Sequence, residues 1–192
     1  MARWQPGATQ RLVAAAVDLF AEQGYDATTV AQIAERAGVT KSTFFRHFSD
    51  KRELLVAGQE TLSRLLADGI TEAPANASPL EAVAAGLERA SSEMGPANRE
   101  FGPRIKAAVA ASTELQERDT LKSVGLAAAM TAALVARGVP EPTAHLAGEM
   151  GVLAFKRGYT RWSEGDRDDG SGLAQHALAA LDELRTATAA LG

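Results

Sequence analysis

Cysteine is missing from the chain altogether, which excludes a disulfide framework, a thiolate nucleophile and any cysteine-ligated zinc or iron–sulfur site. Imidazole is scarce: His47, His145 and His176 are the only histidines, and no two of them stand at metal-ligand spacing. His145 with Glu149 supplies two ligands without a third, too few for a metal site. Neither a glycine-rich phosphate loop nor a nucleophile elbow occurs. An enzyme is therefore not expected, nor is a cofactor or a bound metal. No run of about 20 apolar residues is present, and the N-terminal MARWQPGATQR lacks the apolar core of a signal peptide. The expectation is a soluble, cytoplasmic protein.

Strand-like alternation of Val, Ile and Thr is also absent. In its place, alanine-rich segments with apolar residues at helical spacing run from end to end, separated by Gly and Pro. The spacing predicts an all-α protein. A first helix, capped by Thr9 and ended by Gly24, carries Leu12, Val13, Ala16, Val17 and Phe20 on one stripe. Thr28 or Thr29 caps a short second helix that stops at Gly38, and Thr40 caps a third over about Lys41 to Phe48. Ser49 or Asp50 begins a fourth, read as continuous to about Ile70. The small-residue stretch TEAPANASPLE marks a boundary. Beyond it come a helix over Leu80–Met94, a broken connector GPANREFGP, a short helix over Arg104–Ala111 and a long one from Thr113 to about Ala136. A second long helix runs over Thr143–Glu164, an exposed acidic loop GDRDDGSG follows, and a closing helix covers Leu173–Leu191.

The net charge of −4 is unevenly distributed. Residues 1–57 hold 7 Lys+Arg against 6 Asp+Glu, and the remainder 13 against 18. Within the first part the basic residues Arg36, Lys41, Arg46, Lys51 and Arg52 crowd together, and a local basic patch matters more to a polyanion than the total does. The two short helices joined by Ala37-Gly38-Val39-Thr40 have the spacing of a helix-turn-helix. Phe44 and Phe48, four apart, share the face that docks on Val30, Ile33 and Phe20, which leaves Lys41, Ser42, Phe45 and Arg46 facing outward. Thr40 and Lys51 are suited to phosphate oxygens, Lys41 and Arg46 to guanine edges or phosphates, and Thr43 to a thymine methyl or a phosphate.

The stretch ATTVAQIAERAGVTKSTFFRHFSDKRELL, with LVAAAVDLFAEQGYD upstream, resembles the N-terminal signature of the tetracycline-repressor (TetR) family of bacterial regulators. The resemblance implies that Thr40, Lys41, Ser42, Thr43, Phe45, Arg46 and His47 lie on a recognition helix. It also implies that Lys51, and Thr28 or Thr29, contact backbone phosphates. Two positions depart from the pattern. Phe45 stands where the family usually has a tyrosine whose hydroxyl holds a phosphate, and Ala31 where many members have a charged residue. Loss of one such bond costs on the order of 1 kcal/mol, so affinity leans on Arg46, Lys51 and an N-terminal arm carrying Arg3.

For the rest of the chain the resemblance is one of pattern: a DNA-binding domain over residues 1–57, its fourth helix continuing to about 70, and a helical ligand-binding and dimerisation domain over 58–192. It implies a homodimer through the last two helices, on which Leu146, Met150, Leu153 and Ala154, and Leu173, Ala177, Leu181 and Leu184, form apolar stripes. It further implies a cavity for a small-molecule effector. Phe101, Ile105, Leu126, Met130, Met150, Phe155, Tyr159 and Trp162 are its candidate walls, and Arg104, His145 and Glu149 its candidate polar anchors. The expected partners are thus double-stranded DNA with an inverted repeat, an apolar effector and a second copy of the chain. The expected activity is repression relieved by the effector. A helical interaction protein that binds no DNA, and an activator of the same fold, are the alternatives.

Overall fold

A computed structural model describes residues 7–166 and 170–191. Arg3 and the centre of the acidic loop, Arg167 to Asp169, lie outside the described residues. Among the described residues the secondary structure is helical throughout: α1 (Ala8–Gln23), α2 (Val30–Arg36), α3 (Lys41–His47), α4 (Glu53–Val56), α5 (Gln59–Glu72), α6 (Pro79–Ser92), α7 (Pro96–Ala110), α8 (Thr113–Ala136), α9 (Glu141–Glu164) and α10 (Leu173–Ala189).

The chain forms two compact units. The first joins residues 7–57 with Pro103–Thr120. Its core gathers Leu12, Ala16, Leu19 and Phe20 of α1, Tyr25 of the loop that follows, Ile33 and Ala34 of α2, and Phe44 and Phe48 at α3, closed by Ala108 and Leu115 from the later segment. Two ion pairs fasten that segment, Arg104 with Asp18 and Arg52 with Glu114.

The second unit comprises Gly58–Gly102 and residues 121–191. Leu66 and Ile70 of α5, Val83 and Leu87 of α6, Met130 and Leu134 of α8, Phe155 and Trp162 of α9, and Leu173 and Leu181 of α10 share one core. Small residues set its helix spacing. A Cβ on Gly69 would stand 2.7 Å from the Ala85 carbonyl oxygen, and one on Gly158 would stand 2.5 Å from the Cα of Ala177, so α5 meets α6, and α9 meets α10, backbone to backbone.

Four local expectations need correction. Gly7, not Thr9, is the N-cap of α1, and no side chain caps it. The fourth helix is broken at Gly58, whose φ of 81° lies in the left-handed region that glycine tolerates. The GPANREFGP connector is helical: Pro96 opens α7, where a missing N–H costs nothing, and Pro103 sits within it. At α8 it is Ser112, just before the helix, whose hydroxyl accepts the Leu115 N–H, at 3.5 Å; Thr113 is already helical.

Candidate nucleic-acid interface

The helix-turn-helix is built from capping chemistry. Thr29 and Gln32 form a reciprocal box at the start of α2: the Gln32 amide oxygen accepts the Thr29 N–H at 2.9 Å, and the Thr29 hydroxyl accepts the Gln32 N–H at 3.3 Å. The helix ends where Gly38 takes a φ of 67° and the Val39 N–H reaches back to the Ala34 carbonyl at 2.9 Å. Arg11 of α1 donates to the Ala37 carbonyl at 3.1 Å, tying the turn to the first helix. Thr40 then starts α3 by accepting the Thr43 N–H at 3.1 Å.

Once α3 has formed, its heptapeptide has two faces. Phe44 is fully buried and Phe48 nearly so, whereas Lys41, Ser42, Phe45, Arg46 and His47 are exposed and Thr43 is half-buried. Among the described residues Lys41 makes no hydrogen bond or ion pair. Arg46 donates only a long bond, 3.4 Å, to the Thr43 hydroxyl. His47 shares a 3.3 Å contact with the Thr9 hydroxyl. Two cations are thus presented to solvent on one short helix with no carboxylate against them. Arg36 differs: both its terminal nitrogens bind Glu22, at 2.9 and 2.8 Å, and the pairing holds the Glu22 carboxyl below its ordinary range.

The structure separates the two threonines that the sequence left as alternatives. Thr28 is buried, and its hydroxyl donates to the Gly24 carbonyl at 2.7 Å, so its expected phosphate contact is withdrawn; it serves the core. Thr29 is exposed at the α2 N-terminus. Lys51 has a second task that its charge did not reveal: its Nζ donates to the Tyr25 carbonyl at 2.7 Å and the Thr28 carbonyl at 3.0 Å, and lies over the Tyr25 ring. Two of its three N–H donors are thereby engaged within the domain. Asp50 accepts the N–H groups of Arg52 and Glu53 and pairs with the Arg52 guanidinium, which holds its carboxyl below the ordinary range.

Residues 12–57 match the family model described as bacterial regulatory proteins, tetR family. That segment is a tetR-family regulatory domain. The match is to the helix-turn-helix domain of transcriptional regulators. The HTH-type transcriptional regulator TcmR of Streptomyces glaucescens is 37% identical over 86 residues, a match that spans 41% of this chain and 38% of TcmR. Two solved structures share the fold over nearly the full length. A transcriptional regulator of Aquifex aeolicus has a TM-score of 0.55 at 20% identity, covering 94% of this chain and 99% of its own. FadR of Bacillus subtilis, solved in complex with stearoyl-CoA, has a TM-score of 0.57 at 20% identity, covering 90% and 95%.

The residues expected to line an effector cavity divide between the units. Arg104 and Ile105 fall in the first, where Arg104 is engaged with Asp18. In the second, Leu126, Met130, Met150, Phe155 and Trp162 are buried in one apolar cluster with half-buried Tyr159 against it. Phe155 stacks on Tyr159 at 6.2 Å and Tyr159 tilts against Trp162 at 5.8 Å. The Tyr159 hydroxyl donates to the Asn98 carbonyl at 2.5 Å, and burial pushes its pKa up to about 12. Phe101 is half-buried. His145 and Glu149 stand apart from this cluster, on an open groove of about 530 Å³ that Val124, Thr131 and Val135 also line.

Proposed function

We propose that this chain is a TetR-family repressor that binds an inverted-repeat duplex as a homodimer and is released by a small apolar effector. The observation that carries the reading is α3: its phenylalanines 44 and 48 are buried while Lys41, Ser42 and Arg46 are exposed together, with free reach to a major groove. The remaining donor of Lys51 supplies a phosphate contact that fixes register, and the exposed Thr29 hydroxyl, which donates to Gln32 Oε1 at 2.9 Å, supplies a second by turning from that acceptor to a phosphate.

The dimer face centres on α9. Its expected stripe divides: Met150 and Ala154 are buried, whereas Leu146 and Leu153 are exposed. The stripe on α10, Leu173, Ala177, Leu181 and Leu184, is buried within its own chain and contributes by holding α9 in place. An antiparallel two-fold pairing of α9 about Leu153 sets Glu149 against the partner's Arg157, so that charge complementarity accompanies apolar contact. Exposed Leu121, Val124 and Val135 extend the apolar surface along α8, the helix that among the described residues is long and apolar enough to cross a membrane by length and composition.

An effector that enters the Met130–Phe155–Tyr159–Trp162 cluster and binds better to a DNA-incompetent conformation would weaken operator binding by that difference, typically about 1–3 kcal/mol. FadR of Bacillus subtilis, which shares the fold, was solved with stearoyl-CoA, a ligand that carries a long apolar acyl chain, and this supports the reading. Selection of bound duplexes from a random pool, by purified protein at near-physiological salt, tests the reading. Enrichment of an inverted repeat supports it. Absence of any enriched sequence, with binding abolished by modest salt, would leave a helical interaction protein as the better account.

A further inference from the structure

We propose that Phe45 reads the C5-methyl group of a thymine in each half-site, which makes it a specificity-determining residue; the inference rests on the DNA-binding reading above. The ring is 56% exposed, and it is the one aromatic among the exposed large apolar side chains of the described residues. It stands on the outward side of α3 with Lys41 and Ser42 one turn before it and Arg46 beside it, all exposed. Every neighbour on that side is a group that DNA attracts. The ring also has a packed edge: it meets fully buried Phe44 edge to face, centroids 5.3 Å apart and planes at 81°, a contact that favours the orientation in which it is presented.

What such a ring recognises follows by elimination. It has no hydrogen-bonding atom, so it holds neither a phosphate oxygen nor the donor and acceptor groups on base edges. Of the groups that the four base pairs display in the major groove, the thymine C5-methyl is the apolar one. An exposed apolar ring set among cations and a hydroxyl on a groove-facing helix is therefore matched to that methyl.

The test uses the duplex enriched from the random pool. Each thymine of a half-site is replaced in turn by deoxyuridine, which keeps the base pair and removes only the methyl. For the full-length protein one replacement should weaken binding about threefold to fivefold, the effect of uncovering one methyl. The same replacement should leave Phe45→Ala indifferent, and Phe45→Tyr, which keeps the ring, should retain the sensitivity. Thermal melts of each variant establish that the fold is intact. A selected half-site without thymine, or methyl effects of equal size in Phe45→Ala and in the unsubstituted protein, would overturn the proposal while leaving DNA binding standing. If no duplex is enriched at all, the DNA-binding reading falls and this one falls with it.

Discussion

The ammonium group of Lys51 lies 4.0 Å from the centroid of the Tyr25 ring and donates to the Tyr25 carbonyl at 2.7 Å. A residue read from sequence as a phosphate clamp is thus also the clasp that joins the loop before α4 to the loop before α2. Lys51→Ala should accordingly act twice. Hydrogen bonds from a charged donor contribute about 1.5–3 kcal/mol, so denaturant unfolding should register a loss of about 2 kcal/mol. Affinity should fall by a similar factor on every duplex, since a phosphate carries no sequence. An unchanged unfolding midpoint would show the clasp to be dispensable.

Lys41→Ala should behave differently. Lys41 is exposed and makes no hydrogen bond or ion pair among the described residues, so its removal should leave the unfolding midpoint unchanged and alter which bases are preferred, by about 1–3 kcal/mol at one position. Comparing Lys41→Ala with Lys51→Ala on matched and scrambled duplexes checks this division; equal losses from both on every duplex would contradict it.

On α9, Leu153→Glu should turn the proposed dimer into a folded monomer, read by sedimentation velocity and circular dichroism, because the side chain is 42% exposed within one chain and only the stability contributed by association is lost. Glu149→Arg should weaken the dimer, and combining it with Arg157→Glu should restore it. A dimer that survives Leu153→Glu would place the two-fold axis elsewhere.

Gly158 has no room for a methyl, since a Cβ there would lie 2.5 Å from backbone atoms of Ala177. Gly158→Ala should force α9 from α10 and cost about 1–3 kcal/mol, the range for overpacking. A thermal melt reads the loss; an unshifted transition would mean that the helices separate without cost.

Both tyrosines of the chain, Tyr25 and Tyr159, hold their protons above the ordinary phenol range, each chiefly through burial, with Glu114 adding to the effect at Tyr25. A folded-state pKa raised above its unfolded value gives stability that is complete below about pH 10 and is lost as pH rises beyond it. In an alkaline absorbance titration, tyrosinate should therefore be nearly absent at pH 10 and appear together with unfolding. Independent ionisation of one ring near pH 10 in a protein still folded by circular dichroism would contradict the burial argument.

The helices were legible in the sequence because their signals are local. The Thr29 and Thr40 caps, the Gly38 stop and the inward pair Phe44 and Phe48 all lie within a few residues of what they determine. Harder to read was whatever depends on distant partners. Nothing near Thr28 says that its hydroxyl turns to Gly24 while that of Thr29 stays outside, and nothing near Lys51 names carbonyls 23 and 26 residues earlier as its acceptors. The break at Gly58 was missed because Leu54, Leu62 and Leu66 keep helical spacing across it, and apolar periodicity cannot register a single residue in a left-handed conformation. The candidate effector walls rest on residue type alone, and type does not distinguish a packed core from the wall of a pocket.

The first unit borrows Ala108 and Leu115 from far along the chain, and this dictates an order of events during synthesis. When residue 57 has left the ribosome, α1 to α3 have been made, but the side of their core that Leu115 closes is open to water. Its cover arrives only once residue 120 has been translated, about 3–13 s later at ordinary elongation rates. A fragment ending at residue 57 would remain permanently at that stage, so the DNA-reading module of this protein is finished by its middle, not by its beginning.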